Sequence, residues 1–178
     1  MTADRDQVVD AFVSVGANID PERNVVEALR LLGRSVRITG VSTFYRTKAV
    51  GRPEQQDFLN GVWTVATNLS PRSLKFDVLR DIERRLGRIR TADKYAARTI
   101  DLDVILHGDA VIDEPDLHIP DPDIRTRAFV ALPLLELAPD LRLPDTGEAL
   151  ATLVDEQQKR CLQADIPFTD QLRRSMQS

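Results

Sequence analysis

Two aspartates one residue apart, Asp101 and Asp103, stand in the run Thr99-Ile-Asp-Leu-Asp-Val-Ile-Leu106, where apolar and polar residues alternate. Alternation is the period of a β-strand. The pattern therefore predicts Ile100, Leu102, Val104 and Leu106 on one face, and both carboxylates on the other, roughly 7 Å apart along the backbone. Such a pair suits magnesium, a hard cation that combines one or two carboxylates with water and substrate phosphates. An acidic strand face can equally lie in plain water on an open sheet. The preceding residues bear on that choice, because Arg84, Arg85, Arg88, Arg90, Lys94 and Arg98 face only one acid, Asp93, in the same stretch. The dipole of a helix end favours cations and accounts for Arg84 and Arg85. It does not account for Arg90, Lys94 and Arg98, which follow Gly87. A guanidinium-rich loop beside a carboxylate-bearing strand is complementary to a magnesium triphosphate. The chain has no Gly-x-x-x-x-Gly-Lys-Ser/Thr run, so side chains and metal, rather than a Walker-type loop, would carry the phosphates.

The elements that must position these groups follow from periodicity. Ala11 to Gly16 reads as a buried strand. Asp20-Pro21 opens a helix that runs to about Gly33 with Val25, Val26, Leu29 and Leu32 on one face. Val36 to Tyr45 is a second strand, and Arg46 to Asp57, with Gly51 and Pro53, is a loop. Phe58 to Thr67 is a third strand. Ser70-Pro71 then caps a helix with a Leu74, Val78, Ile82, Leu86 stripe that stops at Gly87, before the aspartate strand. The order strand, helix, strand, strand, helix, strand predicts an α+β fold: a ferredoxin-like βαββαβ antiparallel sheet with its helices on one face. Beyond it come a short strand near Val111, the turn-rich Ile119-Pro-Asp-Pro122, an apolar helix from Phe129 to Leu137, and a last helix from Gly147 to Arg160 as a C-terminal extension. Residues 1–160 are expected to form one domain, and residues 161–178 a weakly patterned, partly disordered tail.

Composition bounds the function. With 178 residues, 42% hydrophobic and 29% charged, the chain suits a single packed domain rather than a disordered or fibrous protein. A lone cysteine, Cys161, excludes a disulfide framework and fits a reducing compartment, so the cytoplasm is expected. Met1 to Asp6 lacks the pattern of an export signal, and no 18 apolar residues run together, so no membrane partner is expected. A net charge of -4 disfavours nonspecific nucleic-acid binding.

Together these segments resemble the 6-hydroxymethyl-7,8-dihydropterin pyrophosphokinase family, in order from about Phe12 to Pro144. The resemblance is carried by Ser14-Val-Gly-Ala-Asn18, Ser42-Thr-Phe-Tyr-Arg-Thr47 with Gly51, Gln55 and Asp57-Phe-Leu-Asn60, Gly87-Arg-Ile-Arg90, Arg98-Thr-Ile-Asp-Leu-Asp103, Leu117-His-Ile-Pro120 and Arg127-Ala-Phe129. It implies a pyrophosphokinase of folate biosynthesis that moves the β,γ-diphosphate of ATP to the pterin hydroxymethyl group and releases AMP. A monomer is expected. By the same resemblance Asp101 and Asp103 hold two magnesium ions, and Arg88 and Arg98 stabilise the transferred diphosphate. Glu83, Arg90, Tyr95, Val104, His118 and Arg127 contact ATP. Thr47, Val50, Gly51, Phe58, Asn60 and Phe129 contact the pterin. Taken singly, either phenylalanine reads as core, Asn60 as a strand-end cap and His118 as a surface residue.

The chain also departs from the family. Tyr95-Ala-Ala-Arg98 replaces Trp-Gly-Pro-Arg, Lys48 and Ala49 stand where prolines are common, and Pro120-Asp-Pro122 replaces Pro-His-Pro, so that Asp121 would repel phosphate. Two other readings follow. One is a diverged relative acting on another hydroxymethyl heterocycle, or binding nucleotide without transfer. The other is a ferredoxin-like RNA-binding module that stacks bases on Phe58 and Phe129, against which the acidic balance and the carboxylate pair argue.

Overall fold

In β1 (Val9–Ala17) alternate residues Ala11, Val13, Val15 and Ala17 are buried on one face, as the sequence pattern requires of a strand lying on helices. The computed structural model describes residues 7–178; Met1 to Asp6, read above for an export signal, lie outside the described residues. After β1 come α1 (Pro21–Leu32), β2 (Arg37–Val41), β3 (Tyr45–Thr47) and β4 (Phe58–Thr67). A helix follows that is π-wound over Ser73–Leu79 and continues as α2 (Arg80–Arg85). The chain then forms β5 (Asp101–His107), the hairpin β6 (Ile112–Glu114) and β7 (Leu117–Ile119), α3 (Asp123–Thr126) and α4 (Ala128–Leu137). A 3-10 turn (Leu150–Leu153), α5 (Glu156–Cys161), β8 (Gln163–Ala164) and α6 (Ile166–Met176) complete it. The main sheet is antiparallel in the order β5-β1-β4-β3-β8, with β2 also paired to β4.

Both sheet faces carry a core, which corrects the expectation of helices on one face only. Val13, Val15, Trp63, Leu102 and Val104 pack with Leu29, Leu32, Leu74, Leu79 and Ile82. On the opposite face Phe12, Val62, Ile105 and Leu106 pack with Ile124, Val130 and Leu134. The second core covers only part of that face, and the uncovered part carries Asp101 and Asp103.

Several local expectations need correction. The four apolar residues predicted on one face of β5 do not share it, because Phe12 pairs Leu106 while Val13 pairs Val104. Ile105 is the extra residue of this β-bulge, and beyond it Leu106 turns to the second core. Asp20 does not cap α1 with its side chain; it takes φ 40, and the helix starts on Pro21, whose missing N–H is no loss there. Ser70 does cap, its Oγ accepting from Ser73 N at 3.1 Å. The second predicted strand is split at Ser42, whose Oγ accepts from Val62 N at 2.9 Å and interrupts the ladder. Phe44 then turns into the main core, against a site that must be glycine: a Cβ on Gly61 would lie 2.5 Å from the Phe44 ring.

The segment after Cys161 is not a loose tail. β8 adds a strand beside β3, Asp165 N donates to Phe44 O at 2.8 Å, and Thr169 Oγ1 accepts from Phe44 N at 2.9 Å. Phe168 and Leu172 enter the main core. Only a narrow strip of α6 is buried, so its apolar pattern is weak in the sequence. Likewise the helix expected from Gly147 to Arg160 is the 3-10 turn and α5, the latter opened by a capping box of Asp155 and Gln158. Leu172→Ala is expected to cost about 2–5 kcal/mol, the range for truncating a buried leucine. Urea unfolding within about 0.5 kcal/mol of the wild type, on the order of an exposed substitution, would place α6 outside the cooperative core.

Candidate active site

At the uncovered end of the sheet, Gly16 of β1 is paired with Asn60 on β4 and with Asp101 on β5, while Ser14 is paired with Asp103. Paired residues of an antiparallel ladder share a face, so the carboxylates and Asn60 open into one cleft. Three adjoining cavities occupy it, and Asp101 lines all three.

The first cavity, about 270 Å³, is lined by Thr47, Val50, Phe58, Asn60, Tyr95, Arg98, Arg127 and Phe129 among others. Asn60 is buried and its Nδ2 donates to Thr47 Oγ1 at 2.7 Å, which leaves its Oδ1 for a ligand. That position depends on Gly16, where a Cβ would lie 2.9 Å from Asn60 Oδ1. Gly51 sits in the turn beside Val50 at φ 70 but does not line the cavity. Arg98 stands 6.0 Å from the Phe58 ring and Arg127 5.7 Å from the Phe129 ring, so cations flank both aromatic walls.

The second cavity is basic, lined by Arg88, Arg90, Lys94 and Arg98. Arg98 Nη1 donates to Asp101 Oδ2 at 2.6 Å and its Nη2 to Lys94 O at 2.5 Å, which folds the loop over the strand. Arg90 donates to Glu83 Oε2 at 2.6 Å. Arg88 differs: its Nε and Nη1 are buried with no hydrogen-bond partner. Burial lowers its pKa, opposed by Asp101 and reinforced by Arg98. Guanidinium donors buried without partners are costly and are free for an acceptor.

The third cavity is acidic, lined by Asp101, Asp103, Asp121 and Asp123. Burial raises the Asp103 pKa, Asp101 adds to the rise, and the Lys75 ammonium, 3.2 Å from Asp103 Oδ1, opposes it. Asp121 is pushed up from 3.8 to about 6, first by burial and further by Asp103 and Asp123, while its acceptance of the Asp123 N–H works against the rise. The folded state thus holds this proton more tightly than the unfolded chain. The stabilisation is complete below the unfolded value and is lost as pH rises through about 6. Asp121→Asn, which keeps an oxygen for Asp123 N, is therefore expected to be more stable than the wild type at about pH 7.5, with the gain vanishing near about pH 4. Urea titrations in chelator at both pH values check this, and a difference independent of pH would contradict it.

Three expected ATP contacts lie outside these cavities. Val104 is buried in the main core, facing away from the carboxylates, so only its main chain on the edge strand is open to a ligand. His118 projects from β7 and its Nδ1 is 2.9 Å from Asp113 Oδ1, on the hairpin partner. Glu83 is buried behind the basic cavity and accepts from Leu102 N at 2.9 Å, tying α2 to β5. Two positioning groups have no role assigned from the sequence. Asn18, buried, accepts from Arg98 N at 2.8 Å and donates to Gln55 Oε1 at 3.0 Å; Gln55 Nε2 in turn donates to Tyr95 O at 3.1 Å, so the two loops around the cleft are joined. Lys75 is the other. An apolar stripe with period four, Leu74 to Leu86, gave no sign that a lysine inside it was buried.

Residues 12–139 match the model of the 7,8-dihydro-6-hydroxymethylpterin-pyrophosphokinase family. The chain belongs to this family. A 2-amino-4-hydroxy-6-hydroxymethyldihydropteridine pyrophosphokinase of Pseudomonas aeruginosa is 40% identical over 137 residues, covering 75% of this chain and 83% of the relative. The protein of the same name from Synechocystis sp. is 37% identical over 150 residues, covering 82% of this chain and 75% of the relative. The crystal structure of Plasmodium falciparum HPPK-DHPS, wild type, superposes with a TM-score of 0.66 over 85% of this chain at 14% identity, a likeness of fold. This chain covers 45% of that longer one. Membership of the pyrophosphokinase family, with relatives named as the enzyme, does not favour either the RNA-binding module or a diverged relative acting on another hydroxymethyl heterocycle or binding nucleotide without transfer. Phe58 and Phe129 are walls of a cleft rather than an open stacking platform.

Proposed function

We propose that the protein transfers the β,γ-diphosphate of ATP to the hydroxymethyl group of 6-hydroxymethyl-7,8-dihydropterin, releasing AMP, as a step of folate biosynthesis. The observation that carries this reading is the meeting of a ring-sized cleft, a basic pocket and an acidic pocket at Asp101. A flat heteroaromatic fits between Phe58 and Phe129 with its amide edge on Asn60, aided by Thr47 and the main chain of Val50 and Gly51. The nucleotide lies toward the basic loop, which supplies Arg90, while Tyr95 and Arg127 would meet it from the adjoining ring-sized cleft and Val104 by its main chain; Glu83 serves by holding Arg90, and His118 enters only if its hairpin turns toward the nucleotide.

Asp101 and Asp103 suit magnesium, which commonly takes one or two carboxylates and leaves its other positions to water and phosphate; two ions are the number this pair would hold. When bound, the metal neutralises phosphate charge and orients the triphosphate for in-line attack. The pterin oxygen bonds to the β-phosphorus, the bond from that phosphorus to the α-phosphate oxygen breaks, and the hydroxymethyl proton is lost to solvent. Arg88 offers idle donors to the moving diphosphate, and Arg98, which donates to Asp101, would be free to turn to the diphosphate if Asp101 held a cation. The strand order supports a ferredoxin-like reading of the sheet, with α5, β8 and α6 as its C-terminal extension. A monomer working in the cytoplasm is the assembly and location we assign.

The test is incubation of the protein with ATP, magnesium and 6-hydroxymethyl-7,8-dihydropterin, followed by mass analysis. AMP and diphosphorylated pterin should form in equal amounts. ADP, or AMP without the pterin product, would refute the assignment.

A further inference from the structure

Lys75 is a buried lysine, and its one salt-bridge partner among the described residues is Asp103, at 3.2 Å. Its ammonium also lies 5.6 Å from the Phe76 ring. The position depends on the π-wound turn Ser73–Leu79. An α-helix turns about 100° per residue, so eight residues would set Lys75 and Glu83 about 80° apart around the axis. A π turn absorbs one additional residue and reduces this to about 20°. Both charged side chains are thereby turned toward β5, Glu83 to the Leu102 N–H and Lys75 to Asp103. π turns are rare and recur at functional sites, and burying a lysine is costly unless its charge is paired.

We infer that Lys75 is a resident counter-ion of the cation site: it holds Asp103 in the absence of a divalent cation and yields that carboxylate when the cation arrives on a nucleotide, so that the site rejects free cation. The inference rests on the assignment of Asp101 and Asp103 to metal. A competing ammonium 3.2 Å from one ligand must be displaced before the carboxylate can bind a cation fully. Free cation brings nothing to compensate the displaced ammonium. Cation carried on a triphosphate does, because the phosphate oxygens replace Asp103 as partners of Lys75. Lys75 is thus a positioning residue for Asp103.

The experiment titrates the wild type, Lys75→Met and Lys75→Arg with Mn2+ alone, reading free Mn2+ by electron paramagnetic resonance, and repeats each titration with Mn2+ and a non-hydrolysable ATP analogue. Lys75→Met is expected to bind free Mn2+ about tenfold or more tighter than the wild type, since a nearby like charge has been removed, while Lys75→Arg stays as weak as the wild type. Combining Lys75→Met with Asp103→Asn should abolish the gain. Should Lys75→Met lose its near-ultraviolet circular dichroism, Lys75→Gln, polar but uncharged, carries the same expectation. Free Mn2+ affinity that is unchanged or weaker in the neutral variants, or equally tightened in Lys75→Arg, overturns the inference. Failure of the wild type to bind the Mn2+ and nucleotide complex would instead remove the metal assignment beneath it.

Discussion

Asp101→Asn and Asp103→Asn are each expected to lower the rate of AMP formation by at least about 100-fold while leaving the protein folded, a loss of the size seen when one group facing developing charge is removed. The two should fail differently. With Asp101→Asn the amide still offers an oxygen to Arg98 but no longer a charge, so the 2.6 Å contact that folds the basic loop over β5 is weakened and nucleotide affinity falls together with rate. With Asp103→Asn the ion pair to Lys75 is released and the loop stays intact, so the loss falls on rate. Neither change should unfold the chain, because the carboxylates are 37% and 36% exposed and neither belongs to either core. Single-turnover measurements at saturating magnesium, beside far-ultraviolet circular dichroism, read both parts. A variant that retains activity within about threefold, well inside the expected loss, would show that its carboxylate does not carry the cation.

The same aspartates show what a sequence discloses and what it hides. Their strand is legible because alternation is a local signal: β5, Asp101–His107, falls in the alternating run, and Asp101 and Asp103 share a face. The bulge at Ile105 was not legible, since an extra residue inside an apolar run leaves the run apolar and changes only where Leu106 points. The π turn is hidden for the same reason. Leu74, Val78, Ile82 and Leu86 fit a helical stripe, whereas the structure buries Leu74, Leu79 and Ile82 fully and brings Lys75 inward. Nor does α6 announce itself. Its docking rests on Phe168, Thr169 and Leu172 and on hydrogen bonds to the backbone of Phe44, more than a hundred residues earlier, which no window along the chain can see. Residue types and order thus point to the chemistry proposed above, while the bulge that turns Leu106 and the π turn that brings Lys75 to Asp103 have no local signature.

Arg88→Met is expected to move activity and stability in opposite directions. The wild-type side chain is half-buried, with Nε and Nη1 inaccessible and unpartnered, and desolvation disfavours its charge. Replacing a partly desolvated cation whose donors lack partners with an apolar chain of similar length removes that penalty, and is expected to be neutral or stabilising. The same idle donors are what a diphosphate would engage as charge builds on it, and their loss should lower turnover about 10²–10³-fold. A structural arginine behaves otherwise, since its removal lowers stability and affects turnover only through the fold. Urea midpoints and steady-state turnover of the two proteins therefore distinguish the roles. An Arg88→Met protein that is less stable and fully active would make Arg88 a packing residue, whereas higher stability with lost transfer would mean that the fold tolerates an unfavourable charge because the reaction requires it.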